Sequence, residues 1–297
     1  MKKRIDLHIH TTKSDGVLTP KEVIDEAYKN GVSVIAITDH DTIDAYNEEI
    51  FKYAEDKNIK LISGVEISTK IKKCGIHVLG YNFDLKNKEF QEKLCKIRNA
   101  RHDYLHKVAE KLNELGYYLN AKELDKIDAV TKAHIALDII NNEKNKELLL
   151  ENFNHIPSKG EFIETIMNEN CPAYVRKETV TPKQAAEIIR AANWKVVLAH
   201  PVAYIYEDNL TDEDITNIIS DMKPDGLEAN YLYVDRKSNK IIDETKKWNE
   251  FAKNNNLFAT IGSDFHNKDW LKPEIGFVNT NFCLDDDTVD EILNNLI

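Results

Sequence analysis

Residues 4–41 read RIDLHIHTTKSDGVLTPKEVIDEAYKNGVSVIAITDHD, and this stretch decides the fold class. Arg4 to His10 alternates apolar and polar side chains, the pattern of a short strand. Thr19 supplies an N-cap and Glu22 an acidic first turn, so a helix is predicted over Pro20 to Asn30, ending at Gly31. Val32 to Thr38 is a continuous apolar run, as expected of a strand buried on both faces. Working outward, Ile43 to Asn58 reads as helix, and Lys60 to Ile67 and Ile76 to Phe83 as strands. Strands alternating with helices predict an α/β chain with a parallel sheet or barrel.

From Lys88 the pattern changes. Residues 88–177 are polar, helix-rich and poor in strand signals. Within Gln91 to Leu115, the apolar residues Leu94, Ile97, Leu105, Val108 and Leu112 fall close to helical spacing. Ala133 to Asn141 and Lys159 to Glu169 predict further helices. The block reads as a helical insertion between two parts of one α/β domain, 1–87 and 178–297. Thr181-Pro182 starts another helix running through Ala192. The strands resume at Lys195 to Ala199, Gly226 to Ala229 and Phe258 to Ile261.

Bulk properties narrow the function class. A chain of 297 residues is within reach of a single α/β barrel. No apolar run is long enough to span a bilayer, and the N-terminus lacks the apolar core of a signal peptide, which makes a cytoplasmic enzyme without a membrane partner the expectation. Cys74, Cys95, Cys171 and Cys283 are scattered without a CxxC pair, against a disulfide framework or thiolate zinc site. A net charge of −11 opposes binding of long nucleic acid on a broad basic face, but leaves room for a small phosphorylated ligand.

The histidines are the informative residues. Six of the ten, His8, His10, His40, His77, His200 and His266, fall in or just after predicted strands. Asp15, Asp39, Asp41, Glu66 and Asp264 accompany them. In α/β barrels the C-terminal strand ends form one face, so side chains far apart in sequence can converge there. His8 and His10 are i and i+2 on one strand and share a face. Asp264 and His266 repeat that spacing at the end of the last strand, and Glu66 ends an apolar strand where a carboxylate can bridge two ions. Any one of these histidines has an ordinary explanation as a hydrogen-bonded core or loop residue. Six together with carboxylates do not, because burying such groups costs of order several kcal/mol each unless cations compensate them. Mixed imidazole and carboxylate donors suit zinc, manganese or iron(II). The donors exceed the needs of one ion and suggest two or three, a centre that supplies a hydroxide at neutral pH and clamps an in-line displacement at phosphorus.

The segments DLHIHTTKSDG, ITDHDT, GVEIS, the His77 strand, AHP and GSDFH, in this order, resemble the PHP family (polymerase and histidinol phosphatase). The resemblance implies a distorted seven-stranded (β/α) barrel with two or three divalent ions at its mouth, held by His8, His10, Asp15, His40, Glu66, His77, His200, Asp264 and His266. It groups His8, His10, Glu66 and Asp264 on one ion, lets Glu66 bridge to a second held by His77 and His200, and leaves Asp15, His40 and His266 for a third. GVEISTKIKKCGIHVLGYNFD, the helix carrying Arg98 and Arg101, Thr131-Lys132-Ala133-His134 and Cys171-Pro172-Ala173-Tyr174-Val175 are similar to the bacterial 3′,5′-nucleoside bisphosphate phosphatase group. That similarity implies hydrolysis of phosphate from small nucleotides, with AMP or the 5′ ends of short RNA as further substrates, under a substrate-capping insertion. Where that group has a second Arg in its Thr-Arg-x-His stretch, this chain has Lys132, a point charge without the bidentate fork.

Arg98, Arg101, Lys132, His134 and Arg176 are the candidate substrate contacts, against a solvated helix face as the plainer reading. His200 or His134 is the candidate proton donor to the leaving oxygen. Tyr231 and Tyr233 could stack on a base or simply pack, and His102, His106 and His155 read as surface residues. Three rivals use related parts: a histidinol phosphate phosphatase, a metal-dependent amidohydrolase and a non-catalytic metal-binding module. The nucleotide-type insertion, the order of ligands and the intact ligand set respectively weigh against them.

Overall fold

The computed structural model describes residues 4–72, 74–82, 84–127, 130–176, 179–235, 238–268, 274–278 and 286–296. Phe83, Lys177 and Cys283, which figure in the readings above, lie outside the described residues, as does the side chain of Arg101. The chain divides into two compact units, residues 1–94 with 180–297, and residues 95–179.

The first unit is built on β1 (Arg4–Ile9), β2 (Val32–Ile37), β3 (Lys60–Ile71), β4 (Cys74–Tyr81), β5 (Lys195–Leu198), β6 (Gly226–Asn230) and β9 (Phe258–Ile261), in that order across one seven-stranded sheet. β7 (Leu232–Asp235) and β8 (Lys240–Asp243) form a separate hairpin. Six of the seven strands run in one direction. β4 runs against both neighbours, with Ser68 opposite His77 and Val78 opposite Leu198. The sheet is thus parallel, as the strand–helix alternation predicts, except at β4: the link from Ile71 to Cys74 is too short for a crossover, so the chain makes a hairpin there. No continuous ladder joins β1 to β9 among the described residues. An isolated parallel bridge between Ile9 and Phe265, with the His10 N–H donating to the Phe265 carbonyl at 2.9 Å, links the two ends.

Local chemistry accounts for the first helices. Thr19 and Glu22 form a reciprocal capping box ahead of the Pro20–Lys29 helix. The next helix begins at Glu48, later than its apolar pattern predicts. Tyr46 explains the delay: its hydroxyl is buried between β2 and β3, where it accepts the N–H groups of Ile37 and Gly64, both at 2.9 Å. That anchor holds residues 43–46 as a loop, and Asn47 then caps the helix by accepting from the Ile50 N–H.

Ile62, Leu79, Tyr81, Val197 and Ala199 belong to one buried apolar cluster. The register puts Glu66 beside Leu79 and Ser68 beside His77, so Glu66 and His77 share that face of the sheet, farther along β3. On β1, Ile5 and Leu7 join the apolar cluster while His8 and His10 do not. The β1–β2 ladder is irregular between Asp6 and Ile9, and such a bulge re-aims the side chains that follow it.

The second unit contains only helices among its described elements and has its own core. Leu105, Val108 and Leu112 on the Lys88–Glu114 helix pack with Ile135, Ile139, Leu149 and Phe162. No helix among the described residues is long and apolar enough to cross a membrane.

Candidate metal centre

Each strand delivers its ligand by a different local route. His8 lies in β1 and His10 just past it. Gly16 closes the loop that follows, and a Cβ there would stand 2.4 Å from the His10 carbonyl oxygen, so only glycine lets the Asp15 loop fold back this tightly. His40 and Glu66 meet in a parallel bridge that extends the β2–β3 ladder. His200 follows β5, and Asp264 and His266 follow β9. His77 arrives differently, from the first half of the reversed strand β4, where its carbonyl accepts the Ala199 N–H at 3.2 Å.

Glu66 is the hub. Its carboxylate oxygens lie 3.0 Å from His77 Nδ1, 3.1 Å from His40 Nδ1, 3.3 Å from His10 Nε2, 3.3 Å from His200 Nε2 and 3.4 Å from His8 Nε2. Asp264 Oδ1 stands 3.2 Å from His10 Nε2 and 3.4 Å from His8 Nε2. Asp15 reaches His266 Nε2 at 3.3 Å, His10 Nδ1 at 3.5 Å and His40 Nε2 at 3.7 Å. The nine side chains singled out in the sequence therefore form one connected cluster. Donor atoms of His10, Asp15, His40 and His266 lie within 4.8 Å of one another, as do those of His8, His10 and Glu66, and of His40, Glu66 and His77.

The electrostatics favour cations. Burial pushes the His10 imidazole down, but the hydrogen bonds it donates to the Asp264 and Glu66 carboxylates outweigh it and hold it up at about 10. His8 is likewise raised, against burial, by Glu228, Glu66 and Asp264. Burial would raise Glu66, yet the imidazoles of His77, His40 and His8 keep it well below the usual carboxylate range, and His40, His266 and His10 do the same for Asp15. For His40 burial dominates and takes the imidazole down to about 3. A field that protonates buried imidazoles also stabilises a divalent ion in their place.

Unsatisfied donors and acceptors make the same point. His8 Nε2 and His10 Nε2 face each other at 3.1 Å, close enough for one ion to take both. Asp15 Oδ1, Glu66 Oε2 and His200 Nδ1 are buried without a hydrogen bond of good geometry. Asp264 and Asp41 hold positive φ angles of 54°, and His200 has φ 20°, ψ 62°. Side-chain-bearing residues in such conformations cluster at functional sites. The chemistry of the donor set fits divalent ions of the manganese, iron or zinc type.

Two of the flanking acids serve elsewhere. Asp39 accepts from the Thr11 N–H and hydroxyl, both at 2.7 Å, and from Ser14 at 2.6 Å, and Asp41 accepts the Ser68 N–H at 2.9 Å. The sequence reading passed over two buried carboxylates: Asp6, which holds Ser263 and the Gly276 N–H, and Glu228, which meets His8 Nδ1. Glu228 did leave a signal, an acid inside the otherwise apolar strand Gly226-Leu227-Glu228-Ala229. Tyr231 and Tyr233 are buried; Tyr231 hydrogen-bonds Asp264 at 3.3 Å and Tyr233 stacks on Tyr206.

The candidate substrate residues belong to the second unit, apart from the junction at residue 94. Lys132 donates to Asn168 at 2.9 Å and to the Met167 carbonyl at 3.4 Å. His134 Nδ1 accepts the Thr131 N–H at 3.1 Å, which leaves the proton of the neutral ring on Nε2. Arg98 is partly buried and Arg176 is exposed.

A sequence profile of the PHP domain matches residues 6–191. A 5′-3′ exoribonuclease of Haemophilus influenzae is 33% identical over 272 residues, covering 90% of this chain and 91% of that one. The chain belongs to the PHP family. A 3′,5′-nucleoside bisphosphate phosphatase of Chromobacterium violaceum is 27% identical over 266 residues, covering 88% of this PHP chain and 87% of its own. A solved structure from the same organism, described as an amidohydrolase, has a TM-score of 0.74 at 23% identity, covering 99% of this chain and 97% of that one, a likeness of fold alone. His200, Asp264 and His266 lie beyond the profile match, within the C-terminal part of the first unit. Family and cluster together make the chain a metal-dependent phosphoesterase.

Proposed function

We propose that this PHP protein hydrolyses the 3′-phosphate ester of a 5′-phosphorylated nucleotide. A 3′,5′-nucleoside bisphosphate and the 5′ end of a short RNA share that bond: in both, water adds to phosphorus and the nucleotide 3′-oxygen leaves. One bond thus unites the two activities named among the relatives. The observation that carries the reading is the Glu66 carboxylate among five imidazoles, with Asp15 and Asp264 closing the cluster.

His8, His10, Glu66 and Asp264 are assigned to one ion, Glu66, His77 and His200 to a second, and Asp15, His40 and His266 to a third. Ions held there would supply a water acidic enough to ionise near neutral pH and would offset the charge that gathers on the phosphoryl oxygens. Glu66 would serve as ligand to both of the first two. Since His200 Nε2 points at Glu66, His200 is assigned as a ligand, and His134, whose Nε2 carries the proton, as donor to the leaving 3′-oxygen. Arg98, Arg101, Lys132 and Arg176 are assigned to the substrate phosphate, and residues 88–177 to a substrate cap. The Ile9–Phe265 bridge supports reading the sheet as a distorted seven-stranded barrel.

The test offers the manganese-loaded protein adenosine 3′,5′-bisphosphate, 5′-phosphorylated short RNA, AMP and histidinol phosphate in parallel. AMP formed from the bisphosphate, and 5′-nucleotides released from the RNA, are the expected products. Turnover of histidinol phosphate alone would overturn the reading.

A further inference from the structure

Glu228 is fully buried at the centre of β6, and no lysine or arginine pairs with it among the described residues. A carboxylate in such a place costs free energy unless its oxygens are occupied. Here they are occupied by two groups of the metal cluster. Oε1 and Oε2 lie 3.0 and 3.1 Å from His8 Nδ1, and Oε2 also accepts the backbone N–H of His200 at 2.9 Å. Room for the carboxylate comes from Gly262, just past the neighbouring strand β9, where a Cβ would run into Oε1.

Both oxygens lie against Nδ1 and Oε2 also accepts the His200 N–H, so the carboxylate stands as acceptor and His8 Nδ1 as donor. In the neutral ring that a metal requires, the lone pair is then on Nε2, the atom that faces His10 Nε2, Glu66 and Asp264. The second contact falls on His200, whose backbone has an unusual conformation (φ 20°, ψ 62°) that needs an external hold.

We propose that Glu228 is a positioning residue of the metal centre, fixing the His8 tautomer and the His200 backbone so that both Nε2 atoms are presented as ligands. The inference rests on the metal-centre reading above, and it adds a residue outside the nine assigned ligands. Partners of this kind orient a metal-bound imidazole and raise its basicity, and their loss costs about 10–100-fold in metal affinity.

The test titrates manganese into metal-free wild type, Glu228→Gln and Glu228→Ala by calorimetry, with circular-dichroism melts as the folding check. Glu228→Gln keeps the shape but sets an NH2 group against one of the two N–H donors. Manganese affinity at the His8 position is expected to fall about 10–100-fold, with the fold retained and binding by Asp15, His40 and His266 unchanged. Wild-type affinity in both variants would overturn this assignment alone, whereas a wild type that takes up no manganese overturns the metal centre itself. Should the variants misfold, nitrogen-15 histidine spectra of zinc-loaded wild type decide the matter. A proton on His8 Nδ1 with the metal on Nε2 is expected, and the reverse arrangement would sink the proposal.

Discussion

The two units use histidines in opposite ways. In the sheet-bearing unit six imidazoles and three carboxylates from distant strands are packed together, mostly buried, with acceptors left unsatisfied. In the helical unit the histidines are partly or fully exposed and pair within the unit: His102 and His106, one turn apart, take the two oxygens of Asp125 at 3.2 and 3.1 Å, and Lys132 and His134 bond to Asn168 and Thr131. The first arrangement is costly without cations. The second stands without them. Convergence with unsatisfied donors, rather than the presence of histidine, is therefore the mark of the metal centre.

The sharpest way to break this contrast is Glu66→Gln. It touches five imidazoles, so its loss should lower phosphoesterase turnover by at least about 10²–10³-fold and strip bound manganese, as read by phosphate release and by metal analysis of the purified protein. Retained turnover would mean that the hub is not the centre.

Chelation separates the units thermally. With manganese at about 100 times its Kd, binding adds about 2.7 kcal/mol to the unit that holds it, or several degrees in Tm. Scanning calorimetry should show the transition of the sheet-bearing unit falling on chelation while the helical one stays. A fall in both alike would contradict the division.

The pH dependence refines the same point. His10 is held up at about 10 from an ordinary 6.5, so without metal its contribution to stability is complete below 6.5 and drains away as pH rises toward 10. His40, held at about 3, acts oppositely, costing stability as pH falls from 6.5 toward 3, and Asp15 adds to the loss at acid pH. The metal-free sheet-bearing unit should thus melt highest near neutrality. Manganese should flatten the alkaline limb, because a ligated His10 carries no proton to lose. Melting curves at several pH values, with and without manganese, check this.

The smallest effect belongs to the helical unit. His106→Ala removes one exposed partner of Asp125 and should change stability by no more than about 1 kcal/mol, leaving manganese content untouched. A lost ion in that variant would place metal where the contrast puts none.

Much of this was legible in the sequence, for reasons tied to particular residues. Arg4–Ile9, Val32–Ile37 and the Thr19-capped helix are set by local periodicity and capping, and they appear where those signals put them. The nine clustered side chains could be picked out because strand ends on one side of such a sheet converge. The reversal of β4 was hidden, because strand direction depends on pairing rather than on composition. His77 thus enters from the middle of a strand. Asp39 and Glu228 show the other limit: whether a buried acid binds a metal, caps a loop or orients a ligand depends on which N–H groups surround it, and those come from distant segments.

Metal content read together with product formation is the most direct test of the account. Wild-type protein dialysed against manganese should retain two or three ions per chain and convert adenosine 3′,5′-bisphosphate to AMP and phosphate, and chelation should stop both. Fewer than two ions per chain, or AMP formation that persists after their removal, would contradict it.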